Sequence, residues 1–230
     1  MDVPGDRKSS YLECLLEQIT PHKALLFNEK AALRTRRLTI VLENLFQAHN
    51  ASAVLRSCDC FGVQDVHVIE KTNPFSTSHE ISLGSSRWLS IHRYSGEDAV
   101  QQCYSKLRTL GYTIYAASPH KNDVNLETMD CSVPLALVFG TEMQGLSEEA
   151  LQAADGYMKI PMVGFTESLN VSVSAAVCMH HLTWKMREQQ PSQFGLSLAE
   201  QLDLKIAWAE RSFRHSAQLK QQFLSDLTSE

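Results

Sequence analysis

The sequence predicts an α/β domain whose sheet is mainly parallel, flanked by helices at both ends of the chain. Three observations carry this expectation. Short β-branched and apolar runs alternate with helix-forming stretches, five such runs recur between residues 38 and 161, and the glycine-bearing turns directly follow the later runs. Strand, helix and strand in succession make βαβ units, which join neighbouring strands in parallel.

Taken in order, residues 10–19 and 24–36 read as helices parted by Thr20-Pro21, the second ending among basic residues. Strands are expected at Leu38–Glu43, Val66–Ile69, Tyr112–Ala117, Leu135–Gly140 and Tyr157–Pro161, with helices over 51–61, 97–110 and 147–154. Met162–Ser168 is irregular. A helix over 171–188 follows, and its small residues (Ser172, Ser174, Ala175, Ala176) predict close packing in the interior. Pro191–Gly195 reads as a linker. Residues 198–227 read as one long amphipathic helix with Leu202, Ile206, Ala209 and Phe213 on a common face. These boundaries divide the chain into an N-terminal helical extension (1–37), a central domain (38–188) and a C-terminal helical extension (189–230).

Composition narrows the class. A chain of 230 residues that is 43% hydrophobic and 20% charged suits one compact α/β domain with helical additions. No apolar run approaches the roughly 20 residues of a membrane span, and the polar start leads into no apolar stretch of a secretory signal. A cytoplasmic protein, without membrane attachment, is the expectation. The six cysteines lack CxxC spacing and read as reduced core thiols, while the nine histidines form no HExxH. His180-His181 reads as a helix pair with one wet face, and no metal is expected. The net charge of −5 argues against a surface coated for nucleic acid. The charge is nevertheless uneven, because residues 20–40 carry Lys23, Lys30, Arg34, Arg36 and Arg37 against Glu29 alone. That cluster reads either as a local phosphate-binding face or as an ordinary solvated helix face.

A dinucleotide-binding fold would place G-x-G-x-x-G after the first strand, but here the turn is Asn44-Leu45-Phe46-Gln47-Ala48-His49-Asn50, without glycine. Glycines come instead at Phe139-Gly140-Thr141-Glu142-Met143-Gln144-Gly145-Leu146 and Ile160-Pro161-Met162-Val163-Gly164. Both turns follow strands, so both lie at the carboxyl edge of a parallel sheet, where ligands bind.

Three segments, in this order and spacing, resemble the three motifs of the SpoU-type RNA 2′-O-methyltransferases of the SPOUT superfamily. They are His49-Asn50-Ala51-Ser52-Ala53-Val54-Leu55-Arg56, the Phe139–Leu146 turn, and Ile160 to Val173 with its Ser168-Leu169-Asn170-Val171-Ser172 run. The resemblance covers roughly residues 38–185 and implies a parallel sheet with a deep C-terminal trefoil knot, a homodimer, and S-adenosylmethionine as cofactor. It implies that main-chain groups of Ala117, Gly140, Ile160, Met162 and Leu169 hold that cofactor. Arg56, Asn50, Glu142, Ser168 and Asn170 are the catalytic candidates it implies. Each has a plainer reading beside it: Asn50, Ser168 and Asn170 as helix caps, Glu142 as a carboxylate at a helix start, Arg56 as a surface ion pair. Where members of this family often carry proline before the first-motif asparagine, this chain has Gln47-Ala48.

The substrate expectation rests on what surrounds the motifs. Only about 37 residues precede the first strand, short of the extra RNA-binding domain common in the ribosomal-RNA branch. Helices before and after the core, with Lys30, Arg34, Arg36 and Arg37 on one side and Lys205, Arg211, Arg214 and Lys220 on the other, resemble the branch that methylates guanosine 18 of tRNA. His49 beside Asn50 is a further RNA-contact candidate of that branch. A ribosomal-RNA enzyme, another tRNA position, or a non-catalytic RNA-binding homologue are the alternatives.

Overall fold

The computed structural model describes residues 3–45, 47–71, 75, 84–118, 124–142 and 144–227; Phe46, named above in the turn after the first strand, and Met143, named in the second motif, lie outside the described residues. The chain divides into two compact units, one formed by residues up to 34 together with those from 195 onward, the other by Thr35–Phe194.

In the larger unit, seven strands form one sheet in the order β3-β2-β1-β6-β4-β7-β5: β1 (Leu38–Glu43), β2 (Asp65–Glu70), β3 (Ser90–Ser95), β4 (Thr113–Ala117), β5 (Val124–Asn125), β6 (Leu135–Phe139) and β7 (Gly156–Lys159). Every pairing is parallel. β1 and β6 lie side by side at the centre with Leu38 opposite Leu135 and Leu42 opposite Phe139, and every residue of both strands is buried. That explains why β6 is apolar throughout and β1 is apolar but for Thr39 and Glu43, since a parallel sheet covered on both faces has no wet side. On one face Leu38, Ile40, Leu42, Leu135 and Leu137 pack against α3 (Ala48–Phe61) and the later helix Val171–Gln189. On the other, Val41, Ile114, Ala136 and Val138 pack against Ala99–Thr109, here α4, and Glu148–Ala153, here α5.

The five expected strands are the five that the sheet holds internally or nearly so; the two unexpected ones, β3 and β5, are its edges. β3 is largely exposed and reads Ser-Ile-His-Arg-Tyr-Ser, with no apolar run to announce it, and β5 has two residues.

Several boundaries move. α3 begins at Ala48 with Gln47 as its N-cap residue, so Asn50 sits in the first helical turn and is not the cap. The small-residue helix, α6 (Val171–Gln189), is not internal on all sides: Ala175, Cys178, Met179, Leu182 and Met186 are buried, while Val173, Val177, His180 and Trp184 face outward. The Pro191–Gly195 linker contains a short helix, α7 (Pro191–Phe194). Four cysteines are buried as expected of core thiols, but Cys14 is half-buried and Cys60 exposed.

The smaller unit joins the two ends of the chain. α1 (Lys8–Leu16) and α2 (Pro21–Ala32) pack on α8 (Leu198–Glu210), with Phe27 against Trp208 and Tyr11 donating to Glu210 at 3.0 Å. Thr20-Pro21 opens α2 as well as breaking α1: Thr20 Oγ1 accepts from the Lys23 N–H and Pro21 takes the first helical position, where no N–H is needed. α8 starts with a reciprocal capping box between Ser197 and Glu200. The expected single tail helix is two, because α8 ends at Glu210 and α9 (Ser216–Leu227) begins after a turn that contains Phe213.

Candidate active site

The order of the strands reverses at β1, with β2 and β3 on one side and β6, β4, β7 and β5 on the other. Such a switch point opens a crevice at the carboxyl ends of the strands. A cavity of about 580 Å3 lies there, lined by Ala117 and Ser118 after β4, by the turn after β6, and by the irregular segment between β7 and α6. Ala117, Gly140, Ile160, Met162 and Leu169 all line it, as do Glu142, Ser168 and Asn170. Its volume lies within the range of about 300–1,000 Å3 typical of small-molecule sites.

The turn after β6 is closed on itself. Thr141 and Gly145 exchange two main-chain hydrogen bonds of 3.0 Å, and Gly145 adopts a left-handed conformation (φ +69°). Gly140 has no space for a side chain, because a Cβ there would stand 2.2 Å from the Gly145 carbonyl oxygen. Gly140 and Gly145 therefore line the cavity with main-chain atoms alone, beside the side-chain-bearing Thr141, Glu142, Gln144 and Leu146. That is the surface that main-chain recognition of a nucleoside-like cofactor needs, and apolar Phe139, Leu146, Met158 and Ile160 beside it suit the flat face of a base. The residues fit S-adenosylmethionine. At the back wall, burial pushes the Cys178 thiol up to about 12, so it lines the cavity as a neutral group.

Three residues distant in sequence meet at one edge of this cavity. Asn50 Nδ2 donates to Glu142 Oε1 at 2.9 Å and to Gln47 Oε1 at 3.0 Å. Asn170 Nδ2 donates to Asn50 Oδ1 at 3.2 Å and, in a very short contact, to the same Glu142 oxygen. Asn170 Oδ1 meanwhile accepts from the Ser172 N–H at 2.9 Å and so caps α6. Asn170 thus has both the cap role and the network role, and the carboxylate fixes which way each amide is turned. Glu142 remains exposed.

Arg56 stands apart from these. It is exposed, does not line the cavity, and has no hydrogen-bond or ion-pair partner among the described residues. Six residues of α-helix place it about 9 Å along α3 from Asn50 and about 120° around the axis. Ser168 is exposed on the cavity rim and His49 exposed in the first turn of α3.

The residues of the basic cluster have different surroundings. Lys30 is exposed at the end of α2. Arg34 is buried, its guanidinium 5.4 Å from the centre of the Trp208 ring. Arg36 Nε pairs with Asp65 at 2.7 Å. Arg37 donates to the carbonyls of Cys131 (2.9 Å) and Ser132 (2.8 Å) and to the side chains of Gln190 and Gln193. All three arginines lie beyond the end of α2 at Ala32, so they do not continue its helical face.

Sequence reasoning passed over Gln47, Ser118, Thr141 and Glu167 at or beside the cavity, and also Glu43, whose carboxylate accepts from Ser147. A usable signal existed for Glu43 alone: an acidic residue ends a central strand that is apolar but for Thr39. Among the described residues no group of three or more His, Cys, Asp or Glu side chains could hold a metal ion, and no helix is long and apolar enough to cross a membrane.

The sequence matches the family described as the SpoU rRNA Methylase family over residues 37–180. It is 40% identical over 190 residues to the tRNA (guanosine(18)-2′-O)-methyltransferase of Borreliella burgdorferi, covering 83% of this chain and 85% of that one. A crystal structure of the A. aeolicus TrmH/SpoU tRNA modifying enzyme superposes with a TM-score of 0.75 at 28% identity, over 84% of this chain and 98% of that one. The SpoU methyltransferase AviRb from Streptomyces viridochromogenes, solved in complex with the cofactor AdoMet, shares the fold at a TM-score of 0.55 and 20% identity, over 68% of this chain and 60% of that one. With Asn50, Glu142 and Asn170 joined at one edge of the cavity and the family match spanning more than half its length, the chain belongs to the SpoU rRNA methylase family.

Proposed function

We propose that this protein is a tRNA ribose 2′-O-methyltransferase that uses S-adenosylmethionine and modifies guanosine 18 in the D-loop. The observation that carries the reading is the junction of Asn50, Glu142 and Asn170 at the edge of a cavity lined in part by the main chain of Gly140 and Gly145. The name of the 40% identical relative supports the substrate.

When bound, the cofactor supplies an electrophilic methyl on a sulfonium. The chain must bring a ribose 2′-OH into line with it and help the hydroxyl lose its proton. Arginine has a reference pKa of about 12.5 to 13.8, so making Arg56 neutral at pH 7 would cost roughly 7 to 9 kcal/mol. Arg56 therefore acts as a bidentate clamp on a substrate phosphate, whose own oxygen or a water takes the proton. Glu142, held by two amides, keeps the cavity mouth in shape beside the reacting ribose, and Ser168 on the rim is within the region the ribose enters.

The working form is a homodimer. Val173, Val177 and Trp184 form an outward apolar stripe on α6, and Val163 and Phe165 in the segment before it are fully exposed. The cavity is in this reading served by Arg56 of the second copy, because Arg56 of the same chain does not line it. In this reading the trefoil knot of the family lies in the segments that follow β6 and β7, and the protein works in the cytoplasm, with tRNA. RNA contact falls to Lys30, His49 and Arg56, while Arg34, Arg36 and Arg37 serve the fold.

Incubating the protein with labelled S-adenosylmethionine and separate tRNA and ribosomal-RNA pools, then mapping the modified nucleotide, tests this directly. A 2′-O-methyl group at guanosine 18 is expected; label in ribosomal RNA alone would reject the substrate and leave the reaction class. Sedimentation should give twice the chain mass, and a monomer with full activity would reject the shared site.

A further inference from the structure

The cavity turn after β6 is held by a residue that does not touch the cavity. Glu43 is the last residue of β1 and is 1% exposed. Its two carboxylate oxygens both receive donors from Ser147, one from the main-chain N–H at 2.9 Å and the other from the hydroxyl at 2.5 Å. No lysine or arginine pairs with Glu43 among the described residues. A buried carboxylate without a cation is expensive, so this one calls for a reason.

Capping α5 is not a sufficient reason, because the Ser147 hydroxyl already does so by accepting from the Ala150 N–H. The carboxylate instead decides where Ser147 stands. β1 and β6 leave the sheet at the same level, since Leu42 is opposite Phe139, so Glu43 lies beside the start of the turn and grips its end. Between those points every described residue from Gly140 to Leu146 lines the cavity. The inner bridge of Thr141 and Gly145 closes the turn's neck, and Glu43 pins its foot. Lys71, just beyond β2, pairs with Glu149 in the first turn of α5 and ties the same foot from the other side.

We propose that Glu43 is a positioning residue for cofactor binding, acting through Ser147 to preorganise the backbone of residues 140–146. The inference rests on the assignment of this cavity to S-adenosylmethionine. Freezing the backbone of one residue is worth roughly a five- to thirtyfold change in an equilibrium constant, so unpinning even part of the turn weakens binding by about that factor.

The test measures S-adenosylmethionine dissociation constants by calorimetry, tRNA affinity by filter binding and melting temperature, on the parent and on Glu43→Ala, Glu43→Gln and Ser147→Ala. Glu43→Ala is expected to raise the cofactor constant about tenfold while tRNA affinity stays within twofold. Glu43→Gln keeps an acceptor for the Ser147 N–H, and the hydroxyl can turn to accept from its amide, so it should stay within about threefold. A parent that binds no S-adenosylmethionine defeats the assignment of the cavity. A parent that binds, with a folded Glu43→Ala of equal cofactor affinity, defeats the role of Glu43. Should Glu43→Ala not fold, Ser147→Ala decides: cofactor affinity within twofold of the parent overturns the proposal, and a loss of fivefold or more with unchanged tRNA affinity supports it.

Discussion

Arg37 and Arg56 flank β1 in the sequence, and their guanidinium groups meet opposite ends. Arg37 is spread over two carbonyls and two glutamine side chains, so its hydrogen-bonding capacity is turned inward on residues 131–132 and 190–193. Arg56, on the outer side of α3, has no partner at all among the described residues. A cation spent on carbonyls is structural, whereas a bare one with five donors in a plane is free to take an anion that arrives from outside. Both stand in basic or motif-rich sequence, and only the third dimension sorts them.

Exchanging the two roles should fail in distinct ways. Arg56→Ala should lower single-turnover methylation of tRNA by at least about a hundredfold, with Arg56→Lys not far behind, because misplacing the reacting hydroxyl by about 1 Å costs on that order. The melting temperature and S-adenosylmethionine affinity should hold. Near-parental transfer by Arg56→Ala would remove Arg56 from the site. Arg37→Ala should show the reverse: a loss of about 2–3 kcal/mol in stability, from carbonyls deprived of a charged donor, and activity of the folded fraction close to that of the parent. Denaturant melts followed by assays below the transition separate the two.

Arg36 sharpens the contrast through acid. It pairs with Asp65, whose other oxygen faces His92 Nε2 at 2.8 Å, and the His92 ring stacks on that of buried His67, which also bonds the Tyr94 hydroxyl. Burial pushes the Asp65 carboxyl up, yet the His92 and Arg36 contacts outweigh it and hold the group below the usual carboxylate range. Burial, aided by repulsion from His92, lowers His67 to about 4. Both folded values lie below their unfolded ones, so both contributions are complete at high pH and are lost as pH falls. His67 costs stability first, from about pH 6.5 downward, by about 1–1.5 kcal/mol at pH 5.5, and Asp65 follows below about pH 4. A His67→Gln variant should flatten the first part of that curve; an unchanged slope would show that His67 is not its source. The smallest effect belongs to Lys30. Lys30→Ala should reduce the slope of log affinity for tRNA against log salt by about 0.7–0.9 if it meets one phosphate, and by nothing if it is merely solvated.

How much could be read beforehand follows from which groups interact locally. β1 and β6 declared themselves because every residue in them is apolar or buried, and the motif residues declared themselves through spacing. The meeting of Asn50, Glu142 and Asn170 could not be read from spacing, since it depends on three separate turns arriving at one sheet edge. The plainer reading of Asn50 as a cap does not hold, because the helix starts at Ala48, two residues sooner than an asparagine-based rule suggests. Arg34 looked like surface because nothing near it in the sequence discloses Trp208, which lies far along the chain. Glu43 shows in the sequence as an acidic end to a largely apolar strand, but its partner Ser147 lies far along the chain.

The outer strand β3 carries a consequence for how the protein behaves in a crowded solution. A sheet rim offers unpaired main-chain groups to any passing strand, and a rim of valine and isoleucine would invite other chains to add on. Here the rim reads Ser-Ile-His-Arg-Tyr-Ser with His92 and Arg93 exposed, which leaves a passing strand little apolar surface to bury. The opposite rim, β5, is two residues long and too short to serve as a template. The traits that hid both strands from a search for apolar runs are those that keep the sheet from growing beyond its own chain.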